Sequence, residues 1–260
     1  MDFANLKFSV NQRVCTITMA RPERQNALDA KMVAELSSAF SAAQKDGDVK
    51  VVILCGEGDA FCQGLDVHYL QENAKYDFQQ HQEESQNFMR LLSLIYAHRK
   101  PVIGVVRGEA LGSGCGLVTV CDFVLASKET ARFGFPEARL GLIPALVLLF
   151  LVRRIGEGRA RELALRGQTI SAEEGLRLGL VSGVVPETEL DACASSIAQD
   201  LARHVSGSSM GLIKELLSRV HGMSTPDALE YAANLNALIR MTDDSKRGVE
   251  ALSKNETIRW

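Results

Sequence analysis

The strongest constraint on this chain is a pattern met twice: an unbroken apolar run that ends in a glycine-rich segment. VKVVILCG (49–56) runs into GEGDAFCQGLD, and PVIGVVRG (101–108) runs into GEALGSGCG (108–116). Apolar runs of this kind read as buried strands, and their alternation with helices argues for parallel strands joined by helical crossovers. The intervening helices are visible. Asp29 precedes KMVAELSSAFSAAQKD, in which Met32, Val33, Leu36, Phe40 and Ala43 recur at helical spacing, so Asp29 reads as an N-cap. A polar helix is expected over 77–99, and RVCTITM (13–19) alternates like a half-buried strand. From Ser171 onward the pattern is mostly helical, with GLVSGVV (179–185) as the one strand. The expectation is an α/β core over residues 1–200 followed by a helical C-terminal region over 201–260.

Composition excludes some classes. The 260 residues are 46% hydrophobic and 23% charged, which suits one large globular domain. A formal net charge of −3 gives no global attraction to nucleic acid or an anionic membrane, so an anionic substrate would need local cations. Cys15, Cys55, Cys62, Cys115, Cys121 and Cys193 show no CxxC spacing and mostly sit in apolar runs, as reduced core thiols do. MDFANLKFSV lacks the pattern of a signal peptide, and the longest apolar run, Ile143 to Val152, is shorter than the roughly 20 residues that cross a bilayer. A cytoplasmic protein is expected. His68, His81, His98, His204 and His221 show no ligand spacing, and no metal is expected.

The glycine segments are where chemistry could sit. In GDAFCQGLDV (58–67) and RGEALGSGCGL (107–117) glycines precede an apparent helix start, where free N–H groups lie at the positive end of the helix dipole. Two such groups meeting across a cleft form an oxyanion hole, although each segment alone also reads as a tight turn. Neither carries the GK[ST] ending of a phosphate-binding loop, and GSGCGL mis-spaces the glycines of a dinucleotide fingerprint.

In order, the chain shows RPERQNALDAKM (21–32), GEGDAFCQGLDV (56–67), VRGEALGSGCGLVTVCDFVLAS (106–127), ARFGFPEARLGLIPA (131–145) and SAEEGLRLGLV (171–181). These resemble the successive signatures of the crotonase (enoyl-CoA hydratase/isomerase) superfamily, in register over about residues 10 to 190. The resemblance implies an α/β fold: a spiral core of β-β-α units with a helical C-terminal trimerisation region. It also implies a homotrimer or hexamer acting on an acyl-CoA or acyl-carrier-protein thioester. No separate cofactor is implied, because CoA or phosphopantetheine arrives as part of the substrate; neither nucleic acid nor membrane is an expected partner.

Residue by residue, the resemblance places the two oxyanion N–H groups on Leu65 and Ser113, where relatives usually have Gly at the second position. Gly112, Asp66, Val67 and His68 would run along the acyl and coenzyme arm, with Ala27 nearby, and Arg24 is a candidate partner for a CoA phosphate. Two-carboxylate hydratases of the family carry a Glu in each of two segments. Here the second is Glu137 in FGFPEA, and the first is replaced by Gly116. Glu109 lies in the preceding turn and does not match. One carboxylate, Glu137, is therefore expected to move the proton, with Phe133, Phe135 and Pro136 giving it the apolar company that raises a carboxyl pKa.

IPALVLLFLVRRIG is bulkier than the glycine-rich stretch that many relatives have there. With Gly116 and the Trp-ended tail, it is similar to bacterial 3-methylglutaconyl-CoA hydratase-like enzymes and to the dehydratases that act on 3-hydroxy-3-methylglutaryl (HMG) carrier protein in polyketide β-branching. The leading expectation is an enoyl thioester hydratase/dehydratase. A Δ3,Δ2-enoyl isomerase or thioester decarboxylase stands beside it, and a non-catalytic acyl-CoA-binding scaffold is the reading from another class.

Overall fold

The computed structural model describes residues 2–260. The chain opens with an antiparallel pair, β1 (Leu6–Asn11) and β2 (Val14–Met19), followed by α1 (Ala30–Lys45). Then come three units of one design. β3 (Val51–Gly56) and β4 (Ala60–Cys62) lead to α2 (Val67–Glu72) and α3 (Phe78–Tyr96). β5 (Val102–Val106) and β6 (Glu109–Leu111) lead to α4 (Ser113–Thr119). β7 (Phe123–Ser127) and β8 (Arg132–Gly134) lead through a 3-10 turn at Pro136–Leu140 to α5 (Ala145–Ile155) and α6 (Glu157–Arg166). The rest is β9 (Thr169–Ser171), α7 (Ala172–Leu178), β10 (Gly183–Val185), and then α8 (Leu190–His204), α9 (Gly207–Val220), α10 (Thr225–Arg240) and α11 (Asp243–Ser253).

The first strand of each unit enters a six-stranded sheet, β1-β2-β3-β5-β7-β10, and the second enters a four-stranded sheet, β4-β6-β8-β9. Pairing is parallel throughout except β1 with β2 and β8 with β9. The chain therefore winds as the expected spiral of β-β-α turns. The short strands of the second sheet had no signal of their own, being three residues each. Three residues cannot show a period, so tertiary pairing alone defines them.

The large sheet is apolar because both faces are covered. Along β3 and β5, Val52, Leu54, Val102 and Val106 face the main core with α1, α3, α4 and α5. Val51, Ile103 and Val105 face the other way, onto Leu190, Ala194, Ala198 and Ala202 of α8. That helix is small-sided at every fourth residue, which lets it lie close on the strands. The expected boundary at residue 200 thus falls inside α8, a layer of the core.

Local capping is as the sequence predicts in two places. The Asp29 carboxylate accepts from Met32 N at 2.7 Å and starts α1, whose buried residues include the five named from spacing. Asp77 starts α3 with a capping box to Gln80, so that helix spans 78–96 within the predicted 77–99. The strand expected at 179–185 shrinks to Gly183–Val185, because α7 ends at Leu178 on a left-handed Gly179 and the chain must first turn. No disulfide forms among the six cysteines, and burial pushes the Cys62 thiol up to about 12. Among the described residues no helix is long and apolar enough to cross a membrane.

Candidate active site

The two glycine segments come together where the small sheet meets the helices. A parallel bridge pairs Leu28 with Leu65. Its hydrogen bonds run from Leu28 N to the Gly64 carbonyl (2.7 Å) and from Asp66 N to the Leu28 carbonyl (3.0 Å). A parallel bridge uses the groups on either side of the central residue, so the N–H of Leu65 is left without a backbone acceptor. Ser113 is the first residue of α4, and the first N–H groups of a helix have no intrahelical acceptor. Gly64 holds the two segments in contact. Its φ is +94°, and a β-carbon there would lie 2.8 Å from the Leu111 carbonyl oxygen and 3.4 Å from Ser113 N. Only glycine supplies that φ without strain and leaves the approach open.

Glu137 enters from the third unit, on the 3-10 turn that Pro136 starts and Gly141 closes in the left-handed region. Gly112 makes room for it. With φ at +51°, Gly112 directs the backbone so that a β-carbon would sit 2.8 Å from Glu137 Oε1. Glu137 Oε2 is buried and has no hydrogen-bond partner among the described residues. Burial is the main cause that pushes its carboxyl above the ordinary carboxylate range, because the charge loses water there and a backbone N–H only partly compensates. An unpartnered buried carboxylate oxygen is a poor structural element and a good proton acceptor.

At Gly116, where the resemblance puts a second carboxylate, the space is closed. A β-carbon on Gly116 would lie 2.2 Å from Val147 Cγ1 and 3.9 Å from the Phe88 ring. The bulk read in the 145–148 segment is thus packed where a second acid would stand. Glu109 is no substitute. It lies on β6, and its Oε2 accepts from Gln63 Nε2 at 2.7 Å on the surface.

Glu137, Leu65 and Ser113 line one cleft of about 390 Å³. Its apolar walls come from Leu28, Val33, Phe88 and the stretch Leu142–Val147, and its polar side from Tyr69, His81, Glu84, Ser85 and Asn87. Among the described residues no Lys or Arg lines it.

The remaining expected residues divide by exposure. Val67 and His68 are exposed at the start of α2, beside Leu65, where an extended arm could lie. Ala27 is buried, and its carbonyl accepts from Arg21 Nη1 at 3.3 Å. Arg24 is exposed on the 3-10 turn Pro22–Arg24. Asp66 is 5% exposed, and its side chain caps α2 through His68 N and Tyr69 N. Gly112 is buried and gives the Glu137 carboxylate its room.

Two features escaped the sequence reading. Arg21 is an organising cation: it reaches Asp29 at 2.6 Å and Asp66 at 3.2 Å, tying the caps of α1 and α2 to the Leu65 loop. The two acids are 37 residues apart in the chain, read from their positions, and nothing in either segment alone announces the pairing. The second is the polar group around Glu84, whose Oε1 accepts from the Tyr69 hydroxyl and from Asn73 Nδ2 (2.6 Å). Burial and the Glu84 bond push the Tyr69 hydroxyl up to about 12.

The spiral of β-β-α turns brings the paired glycine loops and the half-buried Glu137 into one cleft, and comparison with known proteins gives the class. The enoyl-CoA hydratase/isomerase family model matches residues 9–260. The 2,3-dehydroadipyl-CoA hydratase of Escherichia coli (strain K12) is 32% identical over 255 residues, covering 98% of this chain and 97% of the relative. An enoyl-CoA hydratase structure from Shewanella pealeana ATCC 700345 aligns with a TM-score of 0.93 at 27% identity, over 99% of this chain and 96% of that one. An enoyl-CoA hydratase subunit I from Geobacillus kaustophilus HTA426 aligns with a TM-score of 0.91 at 31% identity, over 100% and 99%. The chain belongs to the enoyl-CoA hydratase/isomerase family, within the crotonase superfamily, and is an enzyme of the hydratase type.

Proposed function

We propose that this enzyme interconverts an enoyl thioester and its β-hydroxyacyl form, using the N–H groups of Leu65 and Ser113 and a single acid/base, Glu137. The observation that carries this reading is the unpartnered, buried Oε2 of Glu137 in the same cleft as two free backbone donors. In the dehydration direction the thioester oxygen accepts from both N–H groups. Glu137 takes the α proton, and the electrons of that C–H bond become an enolate, which the two donors stabilise. The enolate then re-forms the carbonyl and expels the β oxygen, which leaves as water with the proton from Glu137. Hydration is the reverse.

The substrate arm is a CoA or carrier-protein phosphopantetheine, with Val67 and His68 beside it and Arg24 free to meet a phosphate. Of the 3-methylglutaconyl or HMG acyl group expected from the sequence, this reading keeps the methyl branch and drops the terminal carboxylate. The apolar Leu142–Val147 wall suits its methyl branch, whereas its carboxylate would find no Lys or Arg on the walls. The assembly in this reading is a trimer, or a hexamer of two trimers, and the exposed apolar side chains of α10 and α11 support an association of copies.

The test is a panel of crotonyl-CoA, 3-methylglutaconyl-CoA and HMG thioesters, with products identified by mass. Gain or loss of one water supports the proposal. Movement of a 3-enoyl double bond with no water exchanged would replace it with isomerisation, and loss of carbon dioxide would replace it with decarboxylation.

A further inference from the structure

Residues His81, Glu84, Ser85 and Phe88 are spaced i, i+3, i+4, i+7, so they share one face of α3, and all four line the cleft. That face changes character along its length. Phe88 is buried beside Gly116, where the α4 helix that begins at the Ser113 donor passes. One turn back toward the N-terminus, Ser85 and Glu84 stand about 4.5 and 6 Å farther along the axis. The acyl chain therefore meets an apolar wall near the reacting carbons and a polar one beyond them.

The polar end has unused hydrogen-bonding capacity of a specific kind. Glu84 Oε1 is engaged by Tyr69 and Asn73, but Oε2 has only His81 Nδ1 at 3.9 Å, beyond hydrogen-bond distance. Ser85 Oγ makes no hydrogen bond among the described residues. Resting on the hydratase reading above, we propose that this end of the cleft selects an acyl chain that carries an uncharged hydroxyl, bound between Glu84 and Ser85. A hydroxyl donates to Glu84 Oε2 and accepts from Ser85, so it satisfies both groups at once. A plain alkyl tail removes their water and returns nothing. A terminal carboxylate faces the like charge of Glu84, and His81, the one basic side chain among the lining residues, already lies against that acid.

The experiment compares kcat/KM for three thioesters of one length: hexenoyl-CoA, ω-hydroxyhexenoyl-CoA, and the chain ending in a carboxylate, 2,3-dehydroadipyl-CoA. The expected order is hydroxyl above plain by about tenfold, below the limit for a fully enclosed hydroxyl site because Ser85 is exposed and Glu84 is only partly buried, with carboxylate lowest. In Ser85→Ala and Glu84→Gln the ratio of hydroxylated to plain chain falls toward unity, and Glu84→Gln raises the carboxylated chain relative to both. Each ratio is taken within one protein, so a loss of folded fraction cancels. Calorimetric binding of hexanoyl-CoA and ω-hydroxyhexanoyl-CoA gives the same ratio without turnover. Failure of all three substrates to react with the binding preference intact would thus strike the hydratase reading alone. Equal or better use of the plain chain, or a preference for the carboxylated one, overturns the proposal.

Discussion

Helices α1, α3, α4 and α5 each bury a line of side chains, whereas α10 and α11 bury none. The contrast is sharp at the level of single residues. Around the cleft, a hydrogen atom is often all that fits: Gly116 against Val147, Gly112 against Glu137, Gly64 against the Leu111 carbonyl. On the C-terminal helices, Leu229, Leu238, Met241, Val249 and Leu252 are each at least half exposed. The helices are nonetheless anchored. Buried Lys214 of α9 pairs with Asp122 below the sheet, the Ser206 hydroxyl donates to Asp244 at 2.6 Å, and the Trp260 carbonyl accepts from Arg13 at 3.1 Å. A region held firmly in place with its apolar side open is prepared to be covered by something outside the chain. The two regions therefore ought to respond to substitution in opposite ways, the first through catalysis and the second through assembly.

The largest effect is expected at Glu137. Glu137→Gln keeps the shape but cannot accept the α proton, so kcat should fall by at least about 10²-fold with thioester binding little changed. Because burial raises this carboxyl, the acid limb of kcat/KM should lie above the ordinary carboxylate range and be absent from the variant. The sign for stability is the reverse of a paired acid. Ionising Glu137 in place is unfavourable, so the wild type should lose stability relative to Glu137→Gln as pH rises through the raised pKa, and the gap should close below the ordinary value. Near-normal turnover by the Gln variant would sink the single-carboxylate mechanism.

Next is the donor at Ser113. Proline is tolerated at the first position of a helix, so Ser113→Pro deletes the N–H while keeping α4. Steady-state kinetics should show a loss of about 10²–10³ in kcat. Ser113→Ala retains the N–H and should be close to wild type; an equal loss there would give the hydroxyl a chemical role.

Gly112→Ala is third. The added carbon meets Glu137 Oε1 in a backbone conformation that alanine rarely adopts. Displacement of the acid by about an ångström should lower kcat about 10²-fold. Thermal melting should show a smaller change, and a crystal structure with Glu137 unmoved would refute the steric account.

The smallest effect on the single chain is expected from Leu229→Glu with Leu238→Glu. Both side chains are exposed, so folding of the protomer should change by no more than about 0.5 kcal/mol. Sedimentation should nevertheless show the assembly dissociating. A wild type that already sediments as a monomer would erase the contrast between the two regions.

Much of this could be read from residue types. Asp29 was legible because a cap is local: the carboxylate and the N–H it accepts from are three residues apart. Glu137 was legible through its motif, and its apolar company through Phe133 and Phe135, both buried. The cap at Asp66 was not legible, because the same residue type suits an arm contact and a cap, and only the fold brings it to Arg21 at 3.2 Å. The Tyr69–Glu84 pair was missed because the two residues belong to different helices with no shared pattern.

The sequence by itself determined the strand and helix periodicity, the two glycine segments, and Gly116 where the resemblance puts a second Glu. Each of these is a property of neighbours within a few residues, which composition and spacing record directly. Tertiary structure alone decided that Val147 fills the place of the second acid, that Glu137 Oε2 is left without a partner, and that Glu84 presents an open oxygen to the far end of the cleft. Those are facts of close packing between segments tens of residues apart, and distances of two or three ångströms across a cleft leave no trace in the order of residues along a chain.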